Sequence, residues 1–152
     1  MKILVDADAC PVPVKNTIIK VAKEFGLPVI MIIDTSHIID DGYSEVITVD
    51  KQENSADLAI INRTLPGDVV VTQDFGLAAM AIGKGAAAIN QNGMIYSSEN
   101  IDRLLFERHI SQKVRCSGKR IAGPKKRLKD NDIKFEASFR ALIHRLYMSI
   151  YG

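Results

Sequence analysis

Lys2-Ile3-Leu4-Val5-Asp6-Ala7-Asp8-Ala9-Cys10-Pro11-Val12 is the stretch from which the rest of the chain is read. Ile3 to Asp6 make an apolar strand that ends in a carboxylate, and a second carboxylate follows two residues on, just before a Pro-x-Pro that opens a helix. In open α/β sheets ligands collect beyond the carboxyl ends of the strands, so Asp6 and Asp8 stand where a site would open. Two close carboxylates repel unless a cation lies between them, and hard divalent ions such as Mg²⁺ take oxygen ligands. The structural alternative is that Asp8 caps the helix and Asp6 is a solvated strand end.

Further along, strand and helix signals alternate. Val14, Ile18, Val21, Ala22 and Phe25 recur at helical spacing, and Gly26 with Pro28 ends that helix. Val29 to Ile33 is uniformly apolar, as expected of a parallel strand covered on both faces. A polar loop with His37, Asp40 and Asp41 follows, then a short strand from Glu45 to Val49. Ser55 is the expected cap of a helix through Ala56, Leu58, Ala59, Ile60 and Ile61, and Asp57 lies in its first turn, where an acid also suits the helix dipole. After the turn Leu65-Pro66-Gly67-Asp68, the strand Val69 to Thr72 runs into Gln73-Asp74 and another helix. The opening design thus occurs twice, at Asp6 and at Asp74. Gly83-Lys84-Gly85 lacks the surroundings of a phosphate-binding loop and reads as a helix cap and turn. Short strands at Ala86 to Ile89 and Met94 to Tyr96 flank the turn Asn90-Gln91-Asn92-Gly93, and Ser97 or Ser98 caps a helix through Ile101, Leu104, Leu105 and Ile110.

Composition bounds the classes open to this chain. Its 152 residues, 47% hydrophobic and 25% charged, suit one globular domain. The longest apolar runs fall far short of a membrane span, and the N-terminus enters a strand rather than a signal peptide, so a cytoplasmic location is expected. Cys10 and Cys116 have no metal-site or disulfide spacing; a nucleophilic Cys10 would need a base that no residue pattern supplies. The net charge of +2 conceals an asymmetry. Residues 1–110 carry 9 Lys and Arg against 15 Asp and Glu, whereas residues 111–152 carry 11 against 3. An acidic body with a basic tail fits a carboxylate site acting on a polyanion that something else must attract.

With those residues in view, the chain is seen to resemble the PIN-like nuclease superfamily, in an early strand ending in Asp, a helix-borne Asp, and Val-Val-Thr-x-Asp before a helix. More closely, Val5 to Val12, Ser55-Ala56-Asp57, Thr72-Gln73-Asp74, Gly118-Lys119-Arg120 and Gly123-Pro124 resemble the bacterial YaiI/YqxD family over essentially the whole chain. The resemblance to PIN enzymes implies Mg²⁺- or Mn²⁺-dependent cleavage of RNA, with Asp6, Asp57 and Asp74 as metal-binding acids and Thr72 as the small hydroxyl residue before the last of them. It also implies a homodimer. Asp8 takes the place of a fourth acid, from a different position, and would assist through a water.

The basic segment completes the reading. Lys113, Arg115, Lys119, Arg120, Lys125, Lys126, Arg127 and Lys129 are interrupted by Gly118, Gly123 and Pro124, which argues for a loop over about 111–131 that contacts phosphates. It holds no aromatic, so binding through it is expected to be salt-sensitive and weakly sequence-selective. Ile133, Phe135, Phe139, Leu142, Ile143, Leu146 and Ile150 mark a final amphipathic helix over about 132–150. His109 and His144 fall on helix patterns as surface or core residues. The expected architecture is one PIN-like domain over residues 1–152, a three-layer α/β/α sandwich with a mostly parallel central sheet. Its expected function is a metal-dependent phosphodiesterase acting on RNA. Two alternatives stay open: a non-catalytic RNA- or ribosome-binding module, and a haloacid-dehalogenase-like phosphatase with Asp6 as nucleophile, which the Asp6-x-Asp8 spacing favours and Cys10 two places later does not.

Overall fold

A strand that alternates Ile3 and Val5 on one face with Leu4 on the other must be covered on both sides, and the fold supplies a helical layer to each. The computed structural model describes residues 1–34, 39–52, 54–116, 118 and 127–152. The elements follow in the order β1 (Ile3–Asp6), α1 (Val12–Phe25), β2 (Val29–Asp34), β3 (Glu45–Val49), α2 (Ser55–Arg63), β4 (Val69–Val71), α3 (Phe75–Gly83), β5 (Ala87–Ile89), α4 (Ser98–Cys116) and α5 (Lys129–Tyr151). The five strands form one sheet in the order β3-β2-β1-β4-β5, with every neighbouring pair parallel. This is the three-layer α/β/α arrangement expected from the alternating signals.

Ile3, Val5, Met31 and Val71 pack against Val14, Ile18 and Val21 of α1 and against Phe135, Phe139, Leu142 and Ile143 of α5. Leu4, Ile32, Val70 and Ala88 pack on the opposite face with Ile60 of α2, Leu77, Ala78 and Ala81 of α3, and Ile101 of α4. Gly26 caps α1 in the left-handed conformation at φ 67°, where its N–H reaches the carbonyls of Ala22 and Lys23. A side chain there would be strained, so the glycine makes the sharp exit into β2. Gly93 has a different reason: its φ is 89° and an added Cβ would lie 2.7 Å from the carbonyl oxygen of Lys134, so only glycine lets the turn after β5 seat on α5.

Several local expectations need correction. Met94 to Tyr96 does not form a strand; Ile95 makes one antiparallel bridge to Ile89 and the chain moves on. The cap of α2 is Asn54, left-handed at φ 65°, rather than Ser55, which is its first helical residue. β4 stops at Val71, one residue before Thr72. The expected basic loop begins too early and ends too late, because α4 runs on to Cys116 and α5 starts at Lys129. Lys113 and Arg115 are therefore helical. Lys119, Arg120, Lys125 and Lys126, like His37, lie outside the described residues. Among the described residues no helix is long and apolar enough to cross a membrane.

Candidate functional site

The strand order locates the site. From β1 the chain moves outward through β2 to β3, then returns to the other side of β1 with β4 and β5. The direction of winding reverses between β1 and β4, and in open parallel sheets the crevice at that reversal, beyond the carboxyl ends of the strands, is where ligands bind. Asp6 is the last residue of β1, and Thr72 and Asp74 follow β4 directly. Asp57 comes from the first turn of α2, which packs on that side of the sheet.

Thr72 joins two of the acids. Its hydroxyl donates to Asp6 Oδ2 at 3.3 Å and accepts the backbone N–H of Asp74 at 3.0 Å. Thr72 is itself fixed: it is 3% exposed, its N–H reaches the carbonyl of Ile89, and its carbonyl accepts the buried Tyr96 hydroxyl at 3.1 Å. Burial, followed by the charge of Asp74, pushes the Tyr96 hydroxyl up to about 12, so it keeps the proton it donates. Asp74 is the cap of α3, with Oδ1 accepting the N–H groups of Gly76 at 2.8 Å and Leu77 at 3.2 Å. A Cβ on Gly76 would sit 3.2 Å from that oxygen, which is why a residue without one suits this capping turn. One Asp74 oxygen is thus tied to the helix.

The acids sense one another. Burial is the largest influence raising the Asp6 carboxyl, opposed by the Thr72 hydrogen bond and reinforced by the charges of Asp8 and Asp74. The Asp57 carboxyl is pushed up to about 6, first by burial, then by the charges of Asp74 and Asp6 and by a hydrogen bond with Asp74. A proton between Asp57 and Asp74 relieves the repulsion that a cation would otherwise relieve. Among the described residues no three His, Cys, Asp or Glu side chains stand ready to hold a metal ion. The donor chemistry nevertheless suits a hard divalent ion: the acids brought together offer only oxygen.

Stability should report this crowding. An unfolded Asp57 ionises near its ordinary value of 3.8, whereas in the fold it holds its proton up to about 6. Its contribution to stability is therefore fully present below about 4 and is lost as the pH rises to about 6. In EDTA, Asp57→Asn is expected to melt above the wild type at pH 7.5 and level with it at pH 4; equal melting temperatures at both values would contradict the coupling.

Asp8 turns Oδ2 to β2, where it accepts the backbone N–H of Asp34 at 2.8 Å, while its charge still acts on Asp6. This bond links the segment after β1 to the end of β2. Cys10 is buried, and burial pushes its thiol up to about 12, which removes the thiolate that a nucleophilic role needs. Arg127 belongs by sequence to the expected phosphate-contacting arm. Its guanidinium is instead taken up by protein acceptors: Nε donates to Asp132 Oδ1, Nη1 to Asn92 Oδ1 and Nη2 to the carbonyl of Gln91. It ties the start of α5 to the turn after β5.

Asp6 and Asp74 open on a cleft of about 690 Å³ that Ala9, Gln73, Phe75 and Arg108 also line. Gln73 is anchored through its amide, which donates to the carbonyl of Ala9 at 2.7 Å and to the side chain of Gln91. Sequence reasoning singled out neither Arg108, between Glu107 and His109 on α4, nor Phe75 as more than a helix core position. Only the packing of α4 beside α3 reveals that both line the cleft with Asp6 and Asp74.

The cleft and its acids fall within residues 4–145, which match the model of a family described as "Uncharacterized BCR, YaiI/YqxD family". A UPF0178 protein of Ruminiclostridium cellulolyticum is 60% identical over 143 residues, covering 94% of this chain and 92% of that one. Another, of Clostridium acetobutylicum, is 50% identical over 147 residues, covering 95% and 98%. Among solved structures, that of a mutant of Rae1 (YacP) from Bacillus subtilis is a distant likeness, with 23% identity and a TM-score of 0.41 over 95% of this chain and 99% of that one. The family model spans nearly the whole chain and these relatives share half or more of their aligned residues with it, so this chain belongs to the YaiI/YqxD family.

Proposed function

We infer that the chain is a divalent-metal-dependent phosphodiesterase acting on RNA, with Asp6, Asp57 and Asp74 holding Mg²⁺ or Mn²⁺. The observation that carries this reading is that Thr72 ties Asp6, at the end of β1, to Asp74, in the β4–α3 turn, at the point of sheet reversal, where the charges of both raise the carboxyl of Asp57 from α2. Acids so placed weaken the metal-free fold, a cost expected of residues kept for binding rather than stability. When bound, a divalent ion supplies a Lewis acid for the phosphate and lowers the pKa of an attacking water.

The chain's own residues prepare the site. Thr72 orients Asp6 and the backbone of Asp74 together, Tyr96 holds Thr72 in place, and the capping bonds of Asp74 leave its second carboxylate oxygen to act in the cleft. Lys113 and Arg115, near the end of α4, begin the basic segment that attracts the backbone, together with Lys119, Arg120, Lys125 and Lys126.

The test is incubation of the full chain with a labelled RNA in Mn²⁺, in Mg²⁺ and in EDTA. Cleavage in either metal and none in EDTA is expected. Salt-sensitive RNA binding that EDTA leaves unchanged, without cleavage, would favour a binding module instead. Hydrolysis of p-nitrophenyl phosphate in place of RNA would favour a phosphatase.

A further inference from the structure

We propose that Phe75 and Arg108 form a nucleotide subsite beside the acids, in which an unpaired RNA base stacks on Phe75 while Arg108 binds a neighbouring phosphate, so that the site takes single strands. This rests on reading the cleft as one for RNA.

Both residues line the same cleft as Asp6 and Asp74 but arrive from different elements. Phe75 is the first residue of α3, next to the capping Asp74. Its ring is half-buried and meets the edge of the buried Tyr96, with centroids 6.3 Å apart and planes at 61°. Because Tyr96 is itself held by the Thr72 carbonyl, Phe75 is braced on one side and keeps part of its surface in the cleft. A pre-positioned aromatic of this kind gives stacking at low entropic cost, and every base has a face to offer. Duplex bases are stacked within the helix, so they cannot use it.

Arg108 supplies the opposite charge. Ile101 buries the start of α4 against the sheet layer and Leu104 packs beside it, which carries the exposed Arg108 to the cleft wall. Arg103, one turn earlier, reaches Glu107 instead. A guanidinium remains charged throughout the working pH range and matches phosphate oxygens in pairs. In a cleft whose other charges are carboxylates, it is the group that can receive the anion.

The experiment measures binding apart from cutting. A fluorescent oligoribonucleotide, single-stranded or annealed to its complement, is titrated with the full chain in EDTA over a range of salt concentrations. The wild type is expected to prefer the single strand. Phe75→Leu, which keeps apolar bulk against Tyr96, is expected to weaken single-strand binding by about 5- to 100-fold, to leave duplex binding unchanged, and to be matched by Phe75→Ala wherever that chain still folds. Phe75→Tyr is expected to retain the preference. Arg108→Ala is expected to reduce the salt slope for single strands by about 0.7, the share of one phosphate contact. Unchanged single-strand affinity in Phe75→Leu, an unchanged salt slope in Arg108→Ala, or a wild type that binds no single strand would each overturn the proposal. If Arg108 only balances the acids, its removal tightens metal binding and leaves RNA affinity as it was, which also overturns it. Cleavage is scored separately in Mn²⁺: a chain that shows these binding effects but cuts nothing contradicts the nuclease reading and supports the subsite.

Discussion

Asp6→Asn and Asp74→Asn are each expected to lower metal-dependent RNA cleavage by more than about 100-fold while leaving the fold intact. The size follows from the role. Losing a residue that only orients a metal ligand costs roughly 10- to 100-fold in affinity or activity, and losing a ligand should exceed it. Thr72→Val supplies the internal comparison, since it keeps the buried shape and removes the hydroxyl that spans Asp6 and Asp74; its loss should fall inside the 10- to 100-fold band. The fold survives for stated reasons. Asn is as good a helix cap as Asp and offers the same oxygen to the N–H groups of Gly76 and Leu77. At Asp6, a neutral amide removes a partly buried charge that burial and two neighbouring acids already disfavour. Melting curves and cleavage rates together decide the matter: a variant that melts normally and cuts at the wild-type rate would remove its aspartate from the site.

Phe139→Ala is expected to cost about 3–5 kcal/mol, the range for removing a buried aromatic, and for a chain of this length to lower the melting temperature by about 10 °C. Phe139 and Phe135 are fully buried on α5, their rings stacked with centroids 5.1 Å apart, and they close the face of the sheet that Ile3, Val5 and Met31 present. Phe139→Leu should cost less than half as much, because Leu refills most of the volume. The consequence reaches the site. α5 begins beside Arg127, which holds the turn at Gln91 and Asn92, and Gln91 in turn meets Gln73 in the cleft. A loss below about 1 kcal/mol in Phe139→Ala, read from denaturant unfolding, would show that α5 is not needed to close this face.

The parts of the fold legible in the sequence are those whose signals are local. Ile3 to Asp6 and Val69 to Val71 were plain as strands because uniform apolar runs end in acids, and Gly26 marked its helix end because only a left-handed residue makes that exit. Asp6 and Asp74 could be paired from that repeated design. Asp57 could not, since its first-turn position serves the dipole of α2 equally well; it takes the packing of α2 on β1 to bring it to the others. The end of α4 was obscured by charge. Lys113 and Arg115 read as the start of a loop, yet no breaker precedes Gly118, whose φ of 79° and N–H to the carbonyl of Arg115 mark the true stop. Arg108 and Phe75 were missed because their meaning is entirely tertiary: one sits in a balanced run of charges, the other at an ordinary apolar position.

The most direct measurement is calorimetric titration of the full chain with Mn²⁺, alongside Asp6→Asn and Asp74→Asn. Near-stoichiometric binding to the wild type is expected, with its loss in both variants. At pH 5.5, below the value of about 6 to which Asp57 is pushed, metal should also displace the proton held there, so the heat should vary with the ionisation enthalpy of the buffer, an effect absent at pH 8. Binding that persists undiminished in both variants would contradict a metal site built on these acids.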